Sequence, residues 1–291
     1  MSISQRSELL FLYDVKRCNP NGDPMDANRP RIDEETGKCL VTDVRLKRTI
    51  RDYLFENGFH GQTKESNYKG DIFVRDEDGK PVTGKKRAES YKDAKEYCSK
   101  FIDVRLFGGV SAVEKKKFNL TGPVQFGMGT TLHEVHENFI KGTGAFANSD
   151  TAQQRTFREE YNITYGLVGF HGVINENAAK HTGLSNEDVA LLIDAMWNGT
   201  KNLLTRSKKG HSPRLLVKID YNVPNFFIGE LVERVSIALN NKRIEQLDDV
   251  SDFTLQTDAL NSLLTKHADK IAKITVWQDD RLVLSSPIIT K

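Results

Sequence analysis

Apolar and polar positions change period several times along the chain, and each change marks an element. Glu8–Lys16 reads as a buried strand, with Leu9, Leu10, Phe11, Leu12 and Tyr13 in succession. A polar turn follows, Asn19-Pro20-Asn21-Gly22-Asp23-Pro24, and continues through Asn28-Arg29-Pro30-Arg31. From Asp43 to Asn57 the spacing is helical, with Thr42 or Asp43 offering the N-cap oxygen and Gly58 a stop. At about 100° per residue Leu46, Ile50, Tyr53 and Leu54 share one side, while Arg45, Arg48 and Arg51 line the other with Lys47 beside them.

Beyond that helix the chain is polar and rich in Gly and Lys from Gly58 to Arg87, with a short strand expected at Asp71–Arg75 and a turn at Asp78–Pro81. Ala88–Leu106 has helical character and stops at Phe107-Gly108-Gly109. Val124–Phe126 alternates as a strand, apolar residues are then sparse to about Glu160, and Ile163–Ile174 returns to strand composition. Ser185 with Asp188 forms a capping box for a helix within Ser185–Arg206, on which Val189, Leu192, Ile193 and Met196 recur on one face. Arg214–Tyr221 reads as a strand, Leu255–Lys270 as an amphipathic helix and Lys273–Gln278 as a closing strand. The order strand, helix, strands, helix, strand suits an α+β fold with a ferredoxin-like (RRM-like) βαββαβ core and helices on one face of the sheet.

Charge changes the picture locally. The 291 residues hold 42 Lys and Arg against 40 Asp and Glu, a net charge of +2, so any affinity for nucleic acid must come from asymmetry rather than from a basic protein as a whole. The α-helix at Asp43–Asn57 has such asymmetry, with Asp43 and Asp52 among its four cations and Glu56 only at its end, and Arg29 and Arg31 lie in the loop that feeds it. The guanidinium fork suits phosphate. Lys85-Lys86-Arg87, Lys115-Lys116-Lys117 and Arg206-Ser207-Lys208-Lys209 add further basic runs. Three scattered cysteines, Cys18, Cys39 and Cys98, fit a reducing cytosol and argue against a disulfide framework or a cysteine zinc site. The apolar run Leu9–Tyr13 is too short for a signal core or a membrane span, so a soluble cytoplasmic protein with no membrane partner is expected.

Five segments in order carry a family resemblance: NPNGDP from Asn19, NRPRIDEETG from Asn28, TDVRLKRTIRDYL from Thr42, LFGGV at Leu106–Val110 and NITYGLVGFHGVIN at Asn162–Asn175. Together they resemble the Cascade backbone subunit of CRISPR–Cas systems, the seventh Cas family, with the type I-B pattern first and type I-C a near neighbour. The resemblance implies a palm core over 1–57, 107–129 and 161–291, a helical lobe inserted at 58–106 and a projecting thumb at 130–160. It implies a non-catalytic subunit, needing no cofactor, that assembles in several copies along CRISPR RNA and displays the guide for pairing with target DNA. Arg45, Lys47, Arg48 and Arg51 would hold phosphates, and Asn28, Arg29 and Arg31 would close the site from the loop. Phe107, Gly108, Gly109 and Val110 would support a kinked RNA backbone, with His171 as a further RNA contact. Leu132, Phe139, Ile140 and Phe146 would belong to the thumb. Other copies, a fifth-family Cas protein, the large subunit and a sixth-family processing nuclease are the implied protein partners.

Two enzymatic alternatives are visible in the residues. Asp14, Asp23, Asp26, Asp33 and Asp43 cluster in one part of the sequence, and carboxylates near a phosphate site can hold Mg²⁺ for RNA cleavage; ordinary turn chemistry accounts for Asp23-Pro24 and Asp33–Gly37 equally. His133-Glu134-Val135-His136-Glu137 has its histidines three apart, where a metalloprotease helix needs four, and reads as a polar hairpin. His171 also fits a packed, hydrogen-bonded strand residue. A metal-dependent ribonuclease and a protein-only scaffold remain as rival functions.

Overall fold

A computed structural model of the chain describes residues 1–61, 70–76, 80, 82–83, 86–87, 93–111, 118–147 and 155–291, with backbone alone for 143–147 and 155–158. In chain order the elements are β1 Ser7–Cys18, β2 Gly22–Asp23, β3 Arg29–Pro30, β4 Leu40–Val41, α1 Asp43–Glu56, α2 Ala94–Lys100, α3 Ile102–Phe107, β5 Gly108–Ser111, β6 Phe118–Thr121, β7 Val124–Phe126, β8 Gly129–Thr131, β9 Glu137–Ala147, β10 Arg155–Ile174, α4 Glu176–Thr182, α5 Asn186–Lys201, β11 His211–Tyr221, β12 Ser236–Leu239, β13 Phe253–Gln256, α6 Asp258–Lys266 and β14 Ile271–Gln278.

The run of apolar residues at Leu9–Leu12 makes sense only for a strand buried on both faces, and β1 is that strand. It pairs antiparallel with β10 on one edge, from Ser7↔Ile174 to Cys18↔Ile163, and with β11 on the other, with a bulge at Leu12/Tyr13. The sheet order is β14-β11-β1-β10-β8-β4, every pair antiparallel, and β7 and β9 also pair with β10. Because side chains alternate along a strand, Leu9, Phe11, Tyr13 and Val15 join a core with Leu46, Ile50 and Leu54 of α1 and Val189, Leu192 and Met196 of α5. The two helices pack against each other at Gly199, where a Cβ would come 3.0 Å from that of Tyr53. The capping box expected at Ser185 and Asp188 is present on α5.

Leu10 and Leu12 face the opposite way, into a second core with Leu167, Leu215, Val217 and Ile219, closed by Leu231, Val250, Phe253, Leu260 and Leu264. This corrects the expectation of helices on one face only: the chain from about residue 226 onward covers the second face. A smaller cluster of Tyr97, Cys98, Phe101 and Val104, with Phe73, Phe118 and Leu120 against it, organises the inserted segment. Ile102, Leu106 and Phe107 of α3 belong instead to the first core, so the insertion is fused to the sheet at that helix.

Other differences are local. Asp71 makes single bridges, to His60 and Phe101, rather than a strand at Asp71–Arg75, and the N–H groups of Phe73 and Val74 donate to the Asp103 carboxylate instead of to a neighbouring strand. Leu255 lies in β13, paired with Ile237, so the last long helix starts later than its apolar pattern suggested. Where it is described, the sparse stretch before Glu160 is β-structure: β10 runs 20 residues, its last part inside the sheet and its first part paired with β9 as a two-stranded arm. Among the described residues no helix is long and apolar enough to cross a membrane.

Truncating Phe11, fully buried and opposite Phe170 in register, to alanine should cost about 3–5 kcal/mol in denaturant unfolding. Val44→Ala on the exposed side of α1 should change stability by no more than about 0.5 kcal/mol.

Candidate nucleic-acid interface

The cationic helix is built as its spacing implies, and its first turn ties it to the preceding loop. The Thr42 hydroxyl accepts from the Arg45 N–H at 3.3 Å and donates to Asn21 Oδ1 at 3.0 Å, so α1 starts against the Asn19–Pro24 turn. Leu46, Thr49, Ile50 and Leu54 are buried. Arg45, Arg48 and Arg51 are spaced by three, and each step falls about 60° short of a full turn. The row therefore wraps across the helix: Arg45 lines a crevice with Tyr13, Pro20, Lys208 and His211, whereas Arg48 and Arg51 line a groove of 560 Å³ between α1 and the inserted segment.

These cations are not equally available to a ligand. Arg51 Nε donates to Asp103 Oδ2 at 2.9 Å; that carboxylate is almost fully buried and also accepts from the backbone N–H groups of Phe73 and Val74. The Arg51 guanidinium lies over the Phe107 ring at 5.1 Å. Arg51 is thus a cross-link between α1 and the segment that follows it, with its Nε committed to Asp103. Arg48 pairs with Asp52 at 2.7 Å with both side chains close to half exposed, and Lys47 pairs with Asp43 at 2.9 Å. Arg45 donates to the Thr49 hydroxyl at 3.1 Å and has no carboxylate partner among the described residues; burial lowers its pKa.

The loop ahead of α1 closes over the same side. Asn28 adopts a left-handed backbone, φ +58°, and its carbonyl accepts from Asn19 Nδ2 at 2.6 Å. Arg29 forks onto Glu137, through Nε at 3.1 Å and Nη2 at 2.5 Å, and stacks over Tyr161 at 5.3 Å, so it clasps the base of the β9–β10 arm. Arg31 pairs with Asp23 at 2.8 Å. Asp23, Asp26, Arg29, Arg31, Met128 and Glu137 line a pocket of 480 Å³ between loop and arm. Phe107 sits under Lys47 and Arg51, and Gly108 turns the chain into the β5–β6 hairpin. Its φ of +78° and a Cβ position 2.1 Å from the Leu120 carbonyl admit only glycine. Gly109 pairs with Leu120 in that hairpin, and Val110 beside it is exposed.

Some expected residues lie elsewhere. His171 projects on the opposite face of the sheet from α1, where its Nε2 meets Glu8 Oε1 at 2.7 Å; the carboxylate is also held by Tyr221 and the N–H groups of Ile228 and Gly229. It is a packed strand residue, and alternation along β10 removes it from the interface. Leu132 packs on the second core with its N–H on the Leu167 carbonyl, so it belongs to the base of the sheet and not to the arm. Phe139 and Ile140 are on the arm and about half exposed, with Phe139 4.8 Å from the Tyr161 ring; the Phe146 side chain lies outside the described residues. His133 is buried, stacked on Tyr165, with Nε2 accepting from the Leu167 N–H. The acidic corner is dispersed: Asp14 is buried on Arg214 and Tyr165, Asp33 holds its own turn through Thr36, and Asp23 and Asp43 have cation partners. Among the described residues no three His, Cys, Asp or Glu side chains come together as a metal would need.

The sequence reading missed Lys208 and Tyr161 as parts of this surface. Lys208 sits beside Arg45, and the basic run at Arg206–Lys209 was its only signal; Tyr161 had none, because its role depends on the pairing of β9 with β10.

A family model described as "CRISPR-associated protein Cas7" matches residues 5–258. A protein of that description from Haloferax volcanii is 34% identical over 318 residues, covering 98% of this chain and 90% of the relative. The chain belongs to the Cas7 family. A solved chain from a "CRISPR RNA-guided surveillance complex, pre-nicking" has the same fold at a TM-score of 0.51 and 12% identity, covering 91% of this chain and 89% of its own. The Cas7 match spans β1, α1, the arm and α5, so it contains every element of the surface described above.

In this Cas7-family chain Arg51 and Arg48 should respond differently to truncation. Arg51→Ala leaves Asp103 buried without its counter-charge and should destabilise the fold by about 3–5 kcal/mol, whereas Arg48→Ala should cost under about 1 kcal/mol. Asp103→Asn in the Arg51→Ala background should recover part of the loss. Urea unfolding of the three variants measures this.

Proposed function

We propose that this chain is a backbone subunit of a type I Cascade complex, of the I-B kind, which holds CRISPR RNA by its phosphates and sugars and does not cut it. The observation that carries the reading is the gathering of α1, the Asn19–Arg31 loop, Phe107 and the arm base on one side of a sheet whose two faces are both filled. A guide of arbitrary sequence must be gripped without reading its bases. The exposed Arg48–Asp52 pair is worth at most about 1 kcal/mol, so phosphate can replace that carboxylate, and Arg29 keeps N–H groups beyond its fork onto Glu137. Arg45, Lys47, Arg48, Asn28, Arg29 and Arg31 form the grip, and the Gly108–Val110 turn supports the RNA backbone beside them.

The architecture follows the same reading. Taking β1, α1, β8, β10, α5 and β11 as the six units, their strands lie in the order fourth, first, third, second, which supports a ferredoxin-like palm. The palm comprises 1–57, 107–129 and 161–291, the insertion 58–106 is a lobe, and the β9–β10 arm is the thumb. Copies join head to tail along the RNA, a contact that does not close on itself. A fifth-family Cas protein, the large subunit and a sixth-family nuclease complete the assembly, which pairs the guide with target DNA in the cytoplasm.

Purified protein should carry RNA, seen as a raised ratio of absorbance at 260 to 280 nm. Stripped protein should bind unrelated single-stranded RNAs with equal affinity, and Arg45→Glu should weaken all of them alike while flattening the salt dependence by about 0.7 in log–log slope. A loss restricted to certain sequences would contradict the grip on the backbone, and Mg²⁺-dependent cutting would support the ribonuclease instead. Replacing residues 141–159 with a short Gly/Ser turn should leave the melting temperature of the free subunit within a few degrees, because the arm makes no core of its own, and should abolish multi-copy assembly on RNA. Unfolding of that variant would place the arm in the core.

A further inference from the structure

The loop between α5 and β11 presses a lysine against the start of the interface. Its backbone is nailed to the end of β1: the Lys16 N–H donates to the Gly210 carbonyl at 2.9 Å and the Asn19 N–H to the Ser207 carbonyl at 3.1 Å. A side chain at position 210 would place its Cβ 2.1 Å from the Lys16 carbonyl, so the loop reaches β1 only through glycine. The Lys208 ammonium donates to the carbonyls of Pro20, at 2.9 Å, and Asn19. With three N–H groups it keeps one donor in hand. Across the crevice Arg45 spends one of its donors on Thr49.

Two cations therefore stand side by side, largely buried, and no carboxylate among the described residues pairs with either; the acid nearest in effect to Arg45, Asp52, is taken by Arg48. Desolvated charges of like sign raise the free energy of a fold unless an anion joins them. The crevice between them is only about 10 Å³, too small to admit an anion, so one shared by both would have to lie at its mouth.

We propose that Arg45 and Lys208 are the two jaws of a clamp that takes one phosphodiester of the bound RNA, where α1, the end of β1 and the Thr205–Gly210 loop meet. The proposal rests on the RNA-binding reading and adds a binding residue from outside the helix and its loop. Lys208 would also make the grip sensitive to pH. Burial and the neighbouring Arg45 lower its pKa to about 8. Of the groups around it, burial pushes the Cys18 thiol up, the Cys39 thiol to about 12 and the Tyr13 hydroxyl up, holds His211 neutral with a pKa of about 3, and lowers the Arg45 guanidinium. As pH rises through 8, Lys208 loses its proton and the clamp loses one jaw. The free fold moves in the opposite direction, since the unfolded chain then binds the proton that the native state has shed.

The test is binding of two unrelated single-stranded RNAs to wild type, Lys208→Met, Lys208→Arg and, as a control in the same basic run, Lys209→Met. Lys208→Met should weaken both RNAs about tenfold and reduce the salt slope by about 0.7, with Lys209→Met close to wild type. Between pH 7 and 9 wild type should lose affinity while Lys208→Arg, charged throughout, should not; this comparison stands even if the methionine variant folds poorly. Equal affinity of Lys208→Met and wild type, or parallel pH profiles for wild type and Lys208→Arg, overturns the clamp. Thermal melts with inorganic phosphate separate the sources of the anion. Stabilisation by phosphate that needs Lys208, with RNA binding indifferent to the substitution, makes this a free-phosphate site and overturns the RNA clamp. Failure of wild type to bind any RNA overturns the functional reading itself.

Discussion

The strand β1 is hydrogen-bonded along both edges and buried on both faces, and the rest of the fold is arranged around that constraint. From Ser7 to Val15 the strand has no free surface, so each polar residue there must be satisfied inside the protein. Glu8 accepts from Tyr221 and from the N–H groups of Ile228 and Gly229 and meets His171; burial raises its pKa, yet these bonds together leave it below its ordinary value. Asp14 meets Arg214 and Tyr165, but there burial wins and its pKa is raised. Glu8 ties the Ile228–Gly229 backbone to the sheet, and Asp14 holds Arg214, which in turn reaches Asp279, so the C-terminal part of the chain closes the face that an RNA-recognition module would leave open. An RNA ligand is left with the helix side: α1, the loop before it and the arm.

That surface also gathers cations on one side of a chain whose net charge is only +2. Most of its cations carry a carboxylate partner in the free subunit. The exposed pairs are weak enough to exchange, the buried Arg51–Asp103 pair is not, and Arg45 with Lys208 has no acid to exchange. Spacing alone could not sort these three classes, since Arg45, Arg48 and Arg51 follow one another at equal steps on α1 and fall into all three.

What was legible in the sequence follows from the range of the interactions involved. The double burial of β1, the apolar stripe and cap of α1, and the capping box of α5 are local patterns, and they appear where expected. The covered second face, the β-structure of the arm and the capture of Arg51 by Asp103 depend on residues far apart in the chain. The arm hid best: its glycine, asparagine and threonine look like loop, and its strands exist because β10 runs out of the sheet and gives β9 an edge. His171 is the converse case: the motif that contains it is local, but alternation along β10 places it on the face away from α1, against Glu8. The position of Lys208 depends on Gly210 meeting β1, and the basic run that contains it could not reveal that contact.

The central claim is that RNA lies on the helix side of a sheet with no open face. The most direct measurement is hydrogen–deuterium exchange of the stripped subunit with and without a single-stranded RNA. The account predicts protection confined to Asn19–Arg31, the first turns of α1, the Gly108–Val110 turn, the arm base and Thr205–Gly210. Protection of β12, β13 and α6 on the second face, with α1 unchanged, would contradict it.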